Sequence, residues 1–161
     1  MIEILVVEDS KVSQKKIVDS LYELNYNKVD IALNGKKAIE LAKKKKYDLI
    51  IMDIYLDSKL DGIETSEKIL EMFLVPIIFL TNTLDINLKI NTPMVYLNKP
   101  FTIHELKHNI EIVLEQFSLK KSLSTRAKWF ESLFKYLPEP TLMFDEKFQI
   151  TGCNDIYKQK F

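Results

Sequence analysis

Cysteine is nearly absent: Cys153 stands alone, which excludes an internal disulfide framework and a cysteine-rich zinc site. Glycine is scarce as well. Gly35, Gly62 and Gly152 are scattered, so no glycine-rich loop exists to cradle a nucleotide phosphate. Net charge is missing too, because 23 basic side chains balance 23 acidic ones and nothing favours wholesale binding to nucleic acid or anionic membrane. No apolar run approaches membrane-spanning length, and Met1-Ile2-Glu3 opens the chain without a basic region or signal-type cleavage site. The chain therefore reads as soluble and cytoplasmic.

What is present is apolar material, 47% of 161 residues, enough for the core of one ordinary domain plus a smaller second unit. The run Leu49-Ile50-Ile51-Met52-Asp53 is four apolar residues ending in a carboxylate. Such a run suits a strand buried on both faces of a parallel sheet. It delivers Asp53 to the C-terminal edge, where open α/β sheets bind ligands. Residues 2–7 repeat the pattern and stop at Glu8 and Asp9, residues 76–81 end in Thr81, and residues 94–97 lead to Lys99. A short strand over 29–33 ends at Asn34-Gly35, a turn signal.

Amphipathic helices are expected between these strands. The first, over 11–24 and capped by Ser10, turns Val12, Ile17, Leu21 and Leu24 inward. The second, over 36–46, turns Ala38, Ile39, Leu41 and Ala42 inward, and its four lysines at 43–46 read as a solvated helix C-terminus. A third covers 63–74, and residues 84–91 hold at most a short one. A long helix opened by Thr102 carries the stripe Ile103, Leu106, Ile110, Val113 and Phe117. Five strands alternating with five helices predict an α/β fold, a doubly wound five-stranded parallel sheet with a C-terminal helical extension.

Parallel strands share a direction, so Glu8, Asp9, Asp53, Thr81 and Lys99 converge on one edge. Three carboxylates there repel one another unless a cation neutralises them. Oxygen-only ligation at an open site suits Mg²⁺, with Mn²⁺ as the alternative. Glu8 and Asp9 would hold the metal, with Asp53 both ligand and nucleophile, and its attack on a phosphoryl group gives an acyl phosphate. Lys99 would neutralise developing charge and Thr81 would donate its hydroxyl to a phosphoryl oxygen.

Val7-Glu8-Asp9-Ser10, Met52-Asp53-Ile54, Leu60-Asp61-Gly62-Ile63-Glu64, Leu80-Thr81 and Leu97-Asn98-Lys99-Pro100-Phe101 form an ordered set. Through them residues 2–117 resemble the receiver domain of two-component response regulators. The resemblance implies a flavodoxin-like fold with strand order 2-1-3-4-5. It implies phosphorelay signalling, with Asp53 phosphorylated by a partner histidine kinase or phosphotransfer protein. It further implies a metal contact from the backbone carbonyl of Tyr55 and a cis Lys99-Pro100 bond. Tyr96 stands where the family keeps an aromatic switch residue, which turns inward as phosphorylation draws Thr81 towards the phosphate. On this reading the chain is not a free-standing enzyme but a receiver with self-catalysed phosphotransfer and autodephosphorylation.

Two departures from the family pattern stand out. Seventeen residues separate Thr81 from Lys99, which implies a shortened fourth helix on the face receivers commonly signal through. Asn82 follows Thr81 where a small residue is expected, crowding the phosphate's entry. A free-standing aspartyl phosphatase is excluded because Asp53-Ile54-Tyr55 lacks the second acid for general acid–base work. The alternative function is a protein-interaction, or dimerisation, module that is never phosphorylated. It has no need of the intact Glu8, Asp9, Asp53, Thr81 and Lys99 set.

His104-Glu105-Leu106-Lys107-His108 matches the zinc-protease pattern H-E-x-x-H. The face carrying both histidines continues through Glu111 and Glu115, beside the apolar stripe, so a solvent-facing pair is expected. After Phe117 the sequence becomes polar, then Trp129, Phe130, Leu133, Phe134 and Leu137 restore an apolar stripe. Leu119, Leu123, Arg126, Phe130, Leu133 and Leu137 follow the three-and-four spacing of a coiled coil, which suggests a homodimer. Pro138-Glu139-Pro140 ends that helix. Short strands over 141–144 and 148–151, then a helix capped by Asn154, resemble the opening of a PAS sensor domain. The expected organisation is a receiver over 1–118, a linker or signalling helix over 119–137 and an incomplete PAS-like segment over 138–161. That last segment either begins a longer receiver–PAS protein or packs on something else, such as a second copy.

Overall fold

β1 (Glu3–Val7), β2 (Lys28–Ala32), β3 (Leu49–Asp53), β4 (Ile77–Thr81) and β5 (Met94–Asn98) form one parallel sheet in the order β2-β1-β3-β4-β5. This is the doubly wound parallel sheet expected from the alternating elements, in the flavodoxin-like order that the resemblance implies. The computed structural model describes residues 2–82 and 93–160, so the short helix expected over 84–91 lies outside the described residues. Among the described residues, the helices of this region are α1 (Lys11–Glu23), α2 (Gly35–Lys44), α3 (Gly62–Leu70) and the first half of α4 (Ile103–Lys135).

Alternation along the strands sorts the core into two layers. Leu5, Val7, Ile50, Met52, Ile77 and Phe79 point to one face, where Ala38 and Ala42 of α2 and Ile69 of α3 cover them. Ile4, Val6, Leu49, Ile51, Ile78 and Leu80 point to the other, against Ile17 and Leu21 of α1 and Leu106, Ile110 and Val113 of α4. All five residues of β3 and of β4 are buried, as continuous apolar strands between two helical layers must be.

Helix caps set where the elements begin. The Ser10 hydroxyl accepts from Ser13 N–H at the start of α1, and Asp61 and Glu64 form a reciprocal capping box at the start of α3. Asn34-Gly35 is not a free turn: the Asn34 side chain accepts from Lys37 N–H and caps α2, whose first residue is Gly35. Val12 does not face inward but is 68% exposed, because the buried stripe of α1 runs through Gln14, Ile17 and Leu21. The three-and-seven spacing from Gln14 leaves Val12 on the far side of the helix.

The chain divides into two units, Met1–Phe117 and Ser118–Phe161, and the division falls inside α4. α4 is one unbroken helix of 33 residues, roughly 50 Å long at 1.5 Å per residue. It carries no break between the receiver-like stripe and the aromatic stretch. In the second unit β6 (Leu142–Phe144) pairs antiparallel with β7 (Ile150–Cys153), and α5 (Asp155–Lys160) comes next. β7 begins two residues later than the expected 148. The Asp145 carboxylate accepts from Lys147 and Gln149 N–H, and Phe148 takes a positive φ of 60°, so the turn claims residues through Phe148.

Candidate functional site

The strand order reverses between β1 and β3, and the crevice at such a switch point is where these sheets place their chemistry. Glu8 and Asp9 come just after β1, Asp53 ends β3, Thr81 ends β4 and Lys99 comes just after β5. Register keeps them level: Thr81 lies opposite Asn98, and Lys99 N–H donates to the Thr81 carbonyl at 2.8 Å.

The carboxylates of Glu8, Asp9 and Asp53 come within 4.8 Å of one another, the only such group of three among the described residues. Glu8 and Asp53 are buried, at 1% and 6% exposure, while Asp9 is half-buried. The Lys99 ammonium bridges the two buried acids, 2.6 Å from Glu8 Oε2 and 2.7 Å from Asp53 Oδ2. Burial pushes the Glu8 carboxyl above the usual carboxylate range, reinforced by the Asp53 charge and opposed by Lys99. Burial also works against the charge on Lys99, but hydrogen bonds to Asp53 and Glu8 outweigh it and raise its pKa above the ordinary lysine value.

Three carboxylates face one ammonium, so the ionised site keeps a surplus of negative charge that a divalent cation balances. The donors are hard oxygens, and a set of few carboxylates at an open edge fits Mg²⁺. The residues present therefore fit the metal.

The backbone holds these groups in place. Asp53 Oδ1 accepts from Tyr55 N–H at 3.1 Å, Asp9 Oδ2 accepts from Asp57 N–H at 2.7 Å, and Glu8 Oε1 accepts from Ser10 N–H at 3.3 Å. Gly62 N–H donates to the Ile54 carbonyl, and a Cβ on Gly62 would lie 2.0 Å from the Asp53 carbonyl oxygen. Only glycine permits that approach. The Lys99-Pro100 bond is cis, as the resemblance implies.

Tyr55 is 56% exposed beside Asp53. The ring of Tyr96 stacks on Phe79 with centroids 5.8 Å apart, and its hydroxyl reaches the Met94 sulfur at 3.8 Å. A cavity of about 500 Å³ opens next to Lys99, lined by Lys16, Ile17, Ser20, Asn82 and Phe101 among others.

Sequence reasoning missed Gln14, whose buried amide donates to the Glu8 carbonyl and clamps the turn bearing both acids. The signal was there: a polar residue in register with Ile17 and Leu21 on an apolar stripe. It also read Lys45 as merely solvated. Lys45 instead pairs with Glu3 at 2.5 Å and Asp30 at 2.9 Å, and Asp30 accepts from the Tyr47 hydroxyl at 2.6 Å. In the zinc-protease pattern the Glu105 carboxylate turns back to accept from Thr102 N–H and hydroxyl as a helix cap. His104 and His108 are exposed, as expected.

Comparison with known proteins gives consistent matches. A family model described as the response regulator receiver domain matches residues 4–111. The chain is 33% identical over 118 residues to transcriptional regulatory protein PdtaR of Mycobacterium tuberculosis, covering 71% of this chain and 57% of that one. It is 37% identical over 143 residues to probable transcriptional regulator ycf29 of Porphyra purpurea, covering 81% and 68%. The chain thus spans little more than half the length of PdtaR. Among solved structures it resembles the N-terminal domain of a response regulator/sensory box/GGDEF 3-domain protein from Carboxydothermus hydrogenoformans. That match has 31% identity and a TM-score of 0.67, covering 73% of this chain and 98% of that one. The receiver domain of sensor histidine kinase PA1611 from Pseudomonas aeruginosa, which has a magnesium ion coordinated in its active site cleft, matches with 32% identity and a TM-score of 0.63. It covers 71% of this chain and 98% of its own.

Proposed function

The chain belongs to the response regulator receiver family, and we propose that it accepts a phosphoryl group on Asp53 from the phosphohistidine of a histidine kinase or phosphotransfer protein. The observation that carries this is the convergence of Glu8, Asp9, Asp53 and Lys99 at one sheet edge. An Asp53 carboxylate oxygen attacks phosphorus, the phosphorus–nitrogen bond of the donor breaks, and the imidazole leaves with that electron pair. Lys99, already bonded to Asp53, follows the charge onto the phosphoryl oxygens. The Thr81 hydroxyl, on the neighbouring strand end, donates to one of them. Glu8, Asp9, Asp53 and the Tyr55 carbonyl would hold Mg²⁺, or Mn²⁺, and the ion supplies charge neutralisation when bound. Water attack on phosphorus later breaks its bond to the Asp53 oxygen, releases inorganic phosphate and returns the carboxylate, so the protein turns over its own modification and not a free substrate.

Movement of Thr81 towards the phosphate frees space for Tyr96 to turn in from its place on Phe79, shifting an existing equilibrium. α4 then carries the change from the receiver, residues 1–118, through a signalling helix over 119–137. Exposed Leu119, Leu123, Phe130, Leu133 and Leu137 at coiled-coil spacing support a homodimer through this helix. The strand–turn–strand–helix beyond it supports a PAS-like beginning over 138–161. The Carboxydothermus relative, whose description places a sensory box alongside its response regulator domain, supports the same reading.

Acetyl phosphate with Mg²⁺, and then intact-mass measurement, tests the assignment. The native chain should gain one phosphoryl group that hydroxylamine removes, and Asp53→Asn should gain none. Equal labelling of Asp53→Asn overturns the assignment.

A further inference from the structure

The second unit is organised around a polar residue. Asn154 is 1% exposed and is the only buried residue among those described in 118–160. In the same unit Trp129, Phe130, Phe144, Phe148 and Ile150 are exposed. Among the described residues here no apolar side chain is buried, and four side-chain hydrogen bonds converge on this one amide.

All of that amide's capacity is used. Its Nδ2 donates to the Leu137 carbonyl at 3.1 Å and to the Glu139 carbonyl at 2.8 Å, both just past the end of α4. Its Oδ1 accepts from Thr141 N–H at 3.0 Å, beside β6, and from Tyr157 N–H at 3.0 Å, in the first turn of α5. The backbone adds a bond to the Thr141 carbonyl at 3.1 Å. The two donors grip the chain leaving α4, and the acceptor grips β6 and α5. Hydrogen bonds lose most of their strength with modest changes of length and angle, so such a joint has few compromise geometries. A competing link, Lys135 with Asp155, is an exposed pair at 3.8 Å, too loose and too well screened to steer anything.

We propose that Asn154 is the joint through which movement of α4 is passed to β6 and α5. Displacing the carbonyls of Leu137 and Glu139 either drags the Asn154 amide, and with it the Thr141 and Tyr157 N–H groups, or breaks the bonds and frees the unit. Asn154 is thus a positioning residue for signal output, and the proposal rests on the phosphoacceptor reading above.

The side chain's chemistry separates this role from simple support. Asn154→Asp keeps an acceptor for Thr141 and Tyr157, and aspartate caps helices well. It loses both donors to the α4 exit and sets negative charge against two carbonyls. Asn154→Ser likewise keeps a cap but cannot reach both carbonyls. The experiment is amide hydrogen exchange on the full chain with Mg²⁺, with and without beryllofluoride as the acyl-phosphate mimic. In the native chain, beryllofluoride should change exchange around Thr81 and also in β6 and α5. In either variant that keeps α5 protected without the mimic, the Thr81 response should persist and the β6–α5 response should vanish. A β6–α5 response of native size in such a variant overturns the joint. So does loss of all β6–α5 protection in both variants, because the amide is then only structural support. A native chain in which even the Thr81 region ignores beryllofluoride overturns the phosphoacceptor reading, and the joint with it. Lys135→Ala, the control, should transmit normally; loss of transmission there moves the joint to the ion pair and overturns the assignment to Asn154.

Discussion

The Lys99 ammonium lies 2.7 Å from the Asp53 carboxylate, 46 residues away in sequence, and the two groups meet where β3 and β5 reach the same sheet edge. With Glu8 on its other side, Lys99 is the counter-ion of two buried acids. Taking it away leaves charge that the interior cannot solvate.

Lys99→Met should therefore cost about 3 kcal/mol of stability at neutral pH, the usual penalty for orphaning a buried charge. Millimolar Mg²⁺ should stabilise this variant more than the native chain, since the cation takes over neutralisation. Urea denaturation with and without Mg²⁺ measures both effects. Equal Mg²⁺ stabilisation of the two proteins would show that Lys99 and the metal do not share the same acids.

Gly62→Ala should cost about 3 kcal/mol, because the added methyl meets the Asp53 and Ile54 backbone and no flexible side chain can yield. The displaced backbone carries Asp53, so phosphorylation by acetyl phosphate should slow in the protein that remains folded. A native labelling rate in a folded Gly62→Ala protein would mean that Asp53 tolerates the shift.

Tyr55 stands exposed two residues beyond Asp53 and its backbone N–H is already bonded to the Asp53 carboxylate. On the proposed phosphoacceptor reading, its bulky ring would shield an acyl phosphate on Asp53 from water. Tyr55→Ala should shorten the acyl-phosphate half-life several-fold, measured by radiolabel decay after removal of the donor. An unchanged half-life would remove the shielding role.

At the opposite edge of the sheet, burial and the bond to Asp30 push the Tyr47 hydroxyl far above the ordinary tyrosine range. A folded-state pKa above the unfolded value means stability that is full below about pH 10 and lost as pH climbs towards the folded value. Tyr47→Phe should cost about 1 kcal/mol at pH 7, one hydrogen bond's worth. The gap to the native chain should close as pH rises past about 10. Urea midpoints across that range, with tyrosinate absorbance alongside, provide the check; a constant gap would mean Tyr47 ionises freely while folded.

Much of this was legible in the chain itself. Apolar runs ending in Asp53, Thr81 or Glu8 signalled parallel strands and the edge they share, because strand direction and side-chain period are local properties. Less local features were not. Val12 read as core because it is apolar, whereas the phase of α1 is set by the sheet it packs on, and that phase buries Gln14 instead. Lys45 read as one of four solvated lysines at a helix end, since its partners Glu3 and Asp30 lie on β1 and β2. The continuation of α4 past Phe117, by contrast, was legible, because residues 118–128 are polar but helix-compatible and the apolar stripe resumes at Trp129 before Pro138 ends it.

The sequence by itself determined the strand and helix order, the identities of the converging acids and lysine, and hence the family. Only the tertiary structure decided that Lys99 bridges Glu8 and Asp53, that Gln14 braces the acid turn and that Asn154 alone is buried among the described residues of its unit. Order along the chain follows from periodicity and local propensity. Contacts between residues 46 or 91 positions apart depend on register and packing, which no local pattern encodes.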